Sequence, residues 1–589
     1  MVTDTSLVTE NLALWSSAIE KKSSSGRGGG KKIKLAGIQK LRDLILDLAV
    51  RGLLIPQDLS AQPASALIEK IRPETARIAS EGKFAEHTSS KVIDVELQPA
   101  IPTSWVWCEL GEIAAVARGG SPRPIKSFIT EEANGLNWIK IGDSVRGSRY
   151  ITSTDQKIRP EGLVKTRQVY PGDLILSNSM SYGYPYILKI SGCIHDGWLV
   201  LRLPEMLVDK LYLCNLFLSP YVKRAFTKSA SGAVVQNLNA DKVKSLVVPL
   251  PPLEEQHRIV AKVDELMALC DQLEQQQEAS ISAHETLVET LLAALTNAAD
   301  KGEFSQAWER IADNFDTLFT TEHSVEQLKE TILQLSCMGK LVSQKKDEQP
   351  AIKLVSRVSK IKAELIDKGK LKKQKGLNTI NDAEKPFSVP IGWEWCRIGD
   401  IAYGTDYGLS DKATEGTNGV PVLAMGNIQN GMVILDTKKV VPKSVSSLPE
   451  LYLVDRDLLY NRTNSAELVG KTGIYSGADE SYTFASYLIR IRLEKGSLLP
   501  EFINMNMASR RFRETQIEPH LKQMTGQANV NGTIMKNMLV AIPPEKEMER
   551  IISKYAELIG ICNSLSSGIR TASAIRTSLA DSLVNSASD

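Results

Sequence analysis

Hydrophobic and polar positions along the chain follow a helical period in two similar stretches far apart in the sequence. Apolar residues recur at helical spacing from Leu41 to Leu48, which predicts an amphipathic helix that ends at Gly52. A second helical stretch, richer in charge, follows at about Ala64 to Ala79 and has a counterpart at about Ala351 to Leu365. We therefore expect helical segments in both halves of the chain.

Short β-rich runs, broken by Gly, Pro, Asn and Asp, follow these helices in each half. They are LNWIKIGDS, DLILSNS and GWLVLRL in the first half and VPVLAMGN, DLLYNRT and SYLIRIRL in the second. Each set predicts a compact α/β domain of about 150 residues. Both domains close with a strand that runs into two prolines, Pro251 and Pro252 or Pro543 and Pro544, and a helix follows.

The helices after the two proline pairs are predicted to be long, about 40 residues and hence about 60 Å each. Their apolar residues follow a heptad spacing. The two series are Ile259, Val263, Leu266, Cys270, Leu273, Leu287 and Leu291, then Ile551, Tyr555, Leu558, Cys562, Leu565, Ile569, Leu579 and Leu583. Stripes of this length favour pairing of the two helices with each other, and the alternative is that each packs separately on its own domain.

The two halves are copies of one unit of roughly 290 residues. IQKLRDLILDLAVRGLLIPQ from Ile38 returns as VEQLKETILQLSCMGKLVSQ from Val325, at an offset of 325 − 38 = 287. IPTSWVWCELGEIA returns as VPIGWEWCRIGDIA, and this pair contains four of the eight Trp residues. Farther along, Cys270 matches Cys562 at an offset of 292, so few net insertions separate the copies.

The predicted fold class is therefore α+β, with two tandem α/β domains, two long helices in an antiparallel coiled coil, and pseudo-twofold internal symmetry. The predicted segments are 1–36 (flexible, with the linker SSSGRGGGKK), 37–98 (helical), 99–252 (first α/β domain), 253–300 (first long helix), 301–384 (central, helical), 385–544 (second α/β domain) and 545–589 (second long helix).

Composition narrows the class of protein only slightly. The 589 residues are 42% hydrophobic and 24% charged, as in ordinary soluble proteins. With 71 Lys and Arg against 69 Asp and Glu, the net charge of +2 neither demands nor excludes nucleic acid. There is no long apolar run and no basic, signal-like start, so we expect a cytoplasmic protein without membrane contact. The seven cysteines form no CxxC pair, which predicts reduced thiols.

Duplication suggests DNA as the partner, because the backbone of B-DNA has twofold symmetry and two modules can each take one half-site. Candidate contacts are loop residues suited to phosphates and base edges, although any one of them can instead be an ordinary solvated residue. In the first copy they are Ser121, Arg123, Lys126, Lys140, Ser177, Asn178, Ser179, Tyr182, Arg224, Lys228, Gln236 and Asn237. In the second copy they are Tyr407, Ser410, Lys412, Asn461, Arg462, Asn464, Lys471, Arg510, Arg511, Gln527 and Asn529.

These motifs resemble, in type and order, the specificity subunits of type I restriction-modification systems. The resemblance rests on WxWCxLGEIA, the GGSPR loop, NRTNS with GKTG, QNLN and ANVN, and the helix start PPxxEQxRIV, and it covers nearly the whole chain after residue 36. The helical extension before the first α/β domain is similar to that of the EcoAI-like IB group. Copy one departs from copy two where Ser177-Asn178-Ser179 replaces NRT and where Lys140 corresponds to Ala424.

The resemblance implies a non-catalytic subunit whose two target-recognition domains each read half of a split, asymmetric DNA site. It implies two methyltransferase subunits and further restriction subunits as partners, with S-adenosylmethionine, ATP and magnesium on those partners and no cofactor on this chain. The paired helices would fix the gap between half-sites.

The residues themselves agree with the absence of catalysis. The sequence has no methyltransferase tetrapeptide of the N/D-P-P-Y/F type and no identifiable nuclease cluster. SAELVGKT imitates the end of a phosphate-binding loop, yet Ser465 stands where the first glycine is needed. Two alternatives stay open: a stand-alone DNA-binding regulator, and a protein-interaction scaffold built on the long helices.

Overall fold

The computed structural model describes residues 6–21, 33–58, 60–87, 98–178, 183–230, 238–371, 376–524 and 527–588. The chain divides into two compact units, one of Met1–Ile281 with Thr571–Asp589 and the other of Ser282–Arg570. Each unit contains helices and small antiparallel or mixed sheets, so the α+β class is confirmed. None of the helices among the described residues is long and apolar enough to cross a membrane.

The first unit opens with helices, continues with an α/β domain and ends in a long helix. Its helices are α1 (Ser6–Thr9), α2 (Leu12–Ser17), α3 (Ala36–Val50), α4 (Ala64–Glu81), α5 (Leu110–Ile113), α6 (Lys210–Leu218), α7 (Pro220–Ala230), α8 (Ala240–Lys244) and the first part of α9 (Leu253–Asn297). Its strands are β1 (Glu20–Lys21), β2 (Ile33–Lys34), β3 (Val106–Glu109), β4 (Ala115–Arg118), β5 (Ile129–Thr130), β6 (Leu136–Ile139), β7 (Tyr150–Ile151), β8 (Lys157–Ile158), β9 (Arg167–Val169), β10 (Leu174–Ser177), β11 (Pro185–Leu188), β12 (Gly192–Ile194), β13 (Trp198–Arg202) and β14 (Val247–Leu250).

The second unit repeats this order. Its helices are the end of α9, α10 (Lys301–Asp313), α11 (Phe315–Leu318), α12 (Glu322–Cys337), α13 (Ile352–Asp367), α14 (Ile398–Ile401), α15 (Leu448–Leu451), α16 (Leu499–Ala508), α17 (Arg510–Phe512), α18 (Gly532–Asn537) and the first part of α19 (Glu545–Ser588). Its strands are β15 (Glu394–Arg397), β16 (Gly404–Tyr407), β17 (Thr414–Glu415), β18 (Val420–Leu423), β19 (Ile428–Gln429), β20 (Met432–Val433), β21 (Lys439–Val441), β22 (Leu458–Asn461), β23 (Thr463–Asn464), β24 (Thr472–Ile474), β25 (Thr483–Phe484), β26 (Leu488–Arg492), β27 (Lys522–Met524), β28 (Gln527–Asn529) and β29 (Leu539–Ile542).

The main sheets of the two α/β domains have the same topology. The first has the strand order β4-β13-β10-β11-β7, and the second has β16-β26-β22-β24-β20 with β19 added at the edge. A second sheet accompanies each, β5-β8-β6-β12-β9 in the first domain and β17-β21-β18-β25 in the second. The WxWC strands β3 and β15 pair with β14 and β29, the strands that run into the proline pairs. Both ends of each domain are thereby joined.

Helix α3 ends at Val50, two residues before the predicted Gly52, and α12 ends at Cys337, two residues before the equivalent Gly339. Both glycines have positive φ, +73° and +70°, so that the next amide can bond a carbonyl five residues back. A Cβ at Gly52 would lie 2.4 Å from Pro102 Cγ, and one at Gly339 would lie 2.6 Å from Pro390 Cγ. The repeated glycine is therefore needed both for the turn and for close contact with the next segment.

A buried glutamate at the start of each long helix explains the E of the PPxxE motif. Glu547 is almost fully buried and accepts hydrogen bonds from Gln344 Nε2 and Trp393 Nε1, both at 3.1 Å. In the first unit Glu255 is equally buried and accepts from Gln57 Nε2 at 2.6 Å. Burial raises the pKa of both carboxyl groups. Each glutamate therefore ties its long helix to the helical segment before the α/β domain.

Helices α9 and α19 have 45 and 44 residues, which confirms their predicted length. The predicted heptad series is wrong at Leu287 and Leu579, which are 49% and 52% exposed, whereas the adjacent Val288 and Ala580 are buried. The apolar stripe advances by eleven residues once in each helix, from Cys270 to Ile281 and from Ile569 to Ala580. An eleven-residue step follows the straight helix more closely than a strict heptad, so the stripe shifts by one position.

In each unit, one of the hydrophobic cores contains apolar residues from both long helices. In the first unit, Leu266 and Cys270 of α9 share a core with Ala580 of α19. In the second, Leu292 and Leu295 of α9 share a core with Cys562 of α19. All seven cysteines are free and buried, which confirms the prediction of reduced thiols.

Candidate nucleic-acid interface

The candidate loops meet at one edge of the main sheet because of its strand directions. Strand β13 runs antiparallel to both β4 and β10, so the turn that precedes β13 lies beside the ends of β4 and β10. Strands β26, β16 and β22 repeat this arrangement. We call the turns 194–198 and 484–488 the central turns. Each central turn brings together the loops that diverge most between the copies.

Asp196 of the first central turn contacts side chains from several neighbouring loops, and the sequence analysis did not identify it. Its Oδ1 accepts a hydrogen bond from Ser121 Oγ at 2.6 Å, and its Oδ2 lies 3.7 Å from the guanidinium of Arg123, whose side chain is 82% exposed. Its backbone carbonyl accepts from Asn178 Nδ2 and Arg118 Nε, both at 3.0 Å. The hydrogen bond from Ser121 is the main cause that lowers the pKa of the Asp196 carboxyl. Ser121, Arg123 and Asn178, three of the predicted residues, are thus brought together around Asp196.

His195 connects the same turn to the loop of Lys140. Its Nε2 accepts a hydrogen bond from the Ile141 amide at 3.1 Å, and the Lys140 amide donates to Asp143 Oδ2 at 2.6 Å. Burial is the main cause that lowers the pKa of His195, and the charge of Lys140 acts in the same direction. A neutral ring at this position keeps the lone pair that Ile141 requires.

The second central turn has a different set of side chains on the same backbone frame. Arg462 Nε donates to the Ser486 carbonyl at 3.0 Å, and its Cζ lies 4.8 Å from the centroid of the Tyr407 ring. The Tyr407 hydroxyl accepts a hydrogen bond from the Gly532 amide at 2.7 Å. The exposed Asn529 accepts from Thr463 Oγ1 at 3.3 Å, next to Arg462. Tyr407, Arg462 and Asn529 therefore form one cluster.

Three of the predicted residues lie beneath the surface and support the loops from within. Ser177 Oγ accepts from the Tyr184 amide, and Asn178 is fully buried. Asn461 is 2% exposed, and its Nδ2 donates to the Leu468 carbonyl at 3.2 Å. The structure corrects the expected surface position of these three residues, because all three are buried inside their domains. The Oδ1 atoms of Asn178 and Asn461 are buried without a hydrogen-bond partner among the described residues.

Arg224 of α7 and Arg511 of α17 contact residues of the helical segments. Arg224 Nη2 lies 3.4 Å from Asp47 Oδ1 of α3. Arg510 pairs with Glu514 at 2.7 Å, and Arg511 contacts Met338 Sδ at 3.6 Å. Sequence order alone did not separate these arginines from the loop residues.

The remaining predicted residues divide into exposed and undescribed groups. Exposed or partly exposed on the loops are Lys126, Lys140, Ser410, Lys412, Asn464 and Lys471. Ser179, Tyr182, Gln236 and Asn237 lie outside the described residues, as do the side chains of Lys228 and Gln527.

Two α/β domains with equivalent loop clusters but different loop residues define a duplicated recognition frame. Residues 102–283 match the family model described as Type I restriction modification DNA specificity domain. The chain is 33% identical to the EcoEI specificity subunit over 597 residues and 34% identical to the EcoAI specificity subunit over 593 residues, both from Escherichia coli. Each alignment covers 99% of both chains.

The chain belongs to the family of type I restriction enzyme specificity subunits. It is thus a specificity subunit and not an enzyme, and its similarity to EcoAI and EcoEI is consistent with the IB group. A crystal structure of the HsdS subunit from Thermoanaerobacter tengcongensis is 17% identical, with a TM-score of 0.40, covering 84% of this chain and 98% of that chain.

Proposed function

We propose that this chain reads a bipartite, asymmetric DNA site, with one recognition domain on each half-site. The domains are those of residues 99–252 and 385–544. The observation that carries the proposal is the pair of equivalent central turns, where one frame presents unlike side chains: Ser121, Arg123 and Asp196 in one domain, Tyr407, Arg462 and Ser486 in the other. Different side chains on equivalent frames suit different half-sites.

The exposed residues of these loops have the chemistry that DNA requires. Arg123, Lys126, Lys412 and Lys471 are exposed cations suited to phosphates, and Asn529 offers an exposed amide suited to adenine. The small net charge of the whole chain is no obstacle, because binding to DNA depends on the local charge of the contacting surface.

The two long helices are the proposed frame that separates the domains. Pairing as an antiparallel coiled coil accounts for the presence of both helices in each core. Two methyltransferase subunits and the restriction subunits would dock on this chain. S-adenosylmethionine, ATP and magnesium would be bound by those partners, and no cofactor by this chain.

The proposal is tested by sequencing the methylome of cells with and without this chain. We expect one split motif to lose its methylation when the chain is absent, and exchange of residues 99–252 for those of another specificity subunit to change one half of the motif only. An unchanged motif after exchange would refute the proposal. Specific binding by the isolated chain, without any dependent methylation, would instead favour a stand-alone regulator. A DNA affinity that does not change with salt concentration would favour the protein-interaction scaffold.

A further inference from the structure

In both domains an arginine Nε donates a hydrogen bond to a backbone carbonyl of the central turn, but the arginine comes from a different neighbouring strand in each domain. In the first domain the Asp196 carbonyl accepts from Arg118 Nε, and Arg118 is the last residue of β4. In the second domain the equivalent carbonyl, that of Ser486, accepts from Arg462 Nε, and Arg462 follows β22. Both distances are 3.0 Å. The donating arginine therefore lies at the end of β4 in the first domain and directly after β22 in the second, whereas the accepting carbonyl has the equivalent position in both.

The backbone shows that these positions are equivalent. The Asn178 amide donates to the Gly197 carbonyl at 2.9 Å, and the Arg462 amide donates to the Tyr487 carbonyl at 3.1 Å. The carbonyls of Asn178 and Arg462 then accept from Leu238 at 3.0 Å and from Val530 at 2.9 Å. Asn178 and Arg462 therefore occupy one position of the shared frame.

A second shared position lies on the strand that flanks the central turn from the other side. It is occupied by Arg118 in the first domain and by Tyr407 in the second. Arg118 ends β4 and Tyr407 ends β16, and they pair with Leu199 of β13 and Ile489 of β26, respectively. The first domain thus combines arginine with asparagine, and the second combines tyrosine with arginine. In the second domain the Tyr407 ring packs against the guanidinium of Arg462. In the first domain the side-chain amide of Asn178 and the guanidinium of Arg118 both donate to the Asp196 carbonyl.

We propose that Arg118 and Arg462, although they occupy different positions of the shared frame, have the same role as positioning residues. Each fixes the central turn of its recognition domain and holds the divergent loops in place for DNA. This inference rests on the proposed function of the two domains. Arg462 then acts on DNA mainly through the turn that it holds. Its Nε is engaged by Ser486 and its plane is set by Tyr407, which fits this role.

The test exchanges one pair for the other in the full chain, purified with its methyltransferase partner. Arg462→Asn should weaken binding to DNA with an intact second half-site by about tenfold, because a charge-assisted hydrogen bond is lost. The double variant Tyr407→Arg with Arg462→Asn restores the combination of the first domain and should recover affinity to within about threefold of wild type. The matched double variant in the first domain is Arg118→Tyr with Asn178→Arg, which should also stay within that range.

Fluorescence anisotropy with duplexes in which one half-site is scrambled separates the outcomes. Loss in Arg462→Asn confined to the second half-site, with recovery in the double variant, supports the inference. No recovery, in a double variant whose thermal unfolding matches wild type, would overturn it and make Arg462 a base contact. A thermal shift without any loss of affinity in the single variant would also overturn it. A wild-type complex that ignores the second half-site would refute the proposed function together with this inference.

Discussion

At the scale of single residues, the buried glutamates at the starts of the long helices are the clearest case of a motif explained by its contacts. Trp393→Phe keeps an aromatic ring but removes the donor to Glu547, which leaves a buried carboxylate with one hydrogen bond fewer. We expect a loss of stability of about 1–3 kcal/mol. Calorimetric unfolding of the full chain measures it.

Trp107→Phe is the control for this prediction. The Trp107 indole nitrogen is buried and has no acceptor among the described residues, so its removal costs no hydrogen bond. An equal loss of stability in both variants would contradict the role assigned to the bond with Glu547.

His195 gives the first central turn a dependence on pH. Burial lowers the pKa of His195 below its ordinary value of 6.5, so between the two values the unfolded chain is protonated while the folded chain is neutral. The stability that this neutral ring contributes is complete above pH 6.5 and is lost as the pH falls from there towards the lowered pKa.

The unfolding temperature should therefore fall less steeply between pH 6.5 and 5 in His195→Gln than in wild type, since the titrating group is gone. His323→Gln, at an exposed position of α12, should keep the wild-type slope. Equal slopes in wild type and His195→Gln would show that the ring contributes nothing to this dependence.

At the scale of elements, the long helices show how a sequence pattern can be correct in kind and shifted in register. Leu292 is buried in the core of the second unit, and Leu287 is half exposed. Leu292→Ala should destabilise the chain by about 2–5 kcal/mol, because it leaves a cavity. Leu287→Ala should change stability by less than about 0.5 kcal/mol, because its side chain is already largely in water.

Chemical denaturation with helical content as the readout compares these two variants. Equal destabilisation would restore the strict heptad register that includes Leu287. A larger effect at Leu287 than at Leu292 would contradict the eleven-residue step altogether.

Elements with a strong local period were predictable, and contacts made through topology were not. The helical spacing around Leu41 and the proline pairs gave α3, α9 and α19 with nearly correct bounds. Nothing local in the sequence indicates that Arg118 and Arg462 bond equivalent carbonyls, because the equivalence arises only when β13 and β26 lie between their neighbours. At the offset of 288 that aligns the two WxWC motifs, Tyr407 maps onto Gly119, and only the strand pairing gives Arg118 the equivalent position.

At the scale of the whole molecule, the proposed role of the long helices as a ruler predicts the gap between half-sites. The apolar stripe advances by seven residues from Ile281 to Val288 and from Cys562 to Ile569. Deleting 282–288 together with 563–569 therefore keeps the core residues on the same helix faces. Each helix becomes shorter by about 10 Å, which corresponds to about three base pairs of B-DNA.

The expected result is a methylated motif with both half-sites unchanged and a gap shorter by about three base pairs, read by methylome sequencing. The control replaces the same fourteen positions by alanine-rich helical sequence of equal length, with the apolar stripe positions retained, and should leave the gap as in wild type. Half-sites that keep their original gap in the deletion variant would show that something other than helix length sets the spacing. Loss of methylation in the deletion variant alone, with the chain folded by calorimetry, would mean that the frame must also match the rotation of the duplex, because three base pairs turn the second half-site by roughly a third of a helical turn.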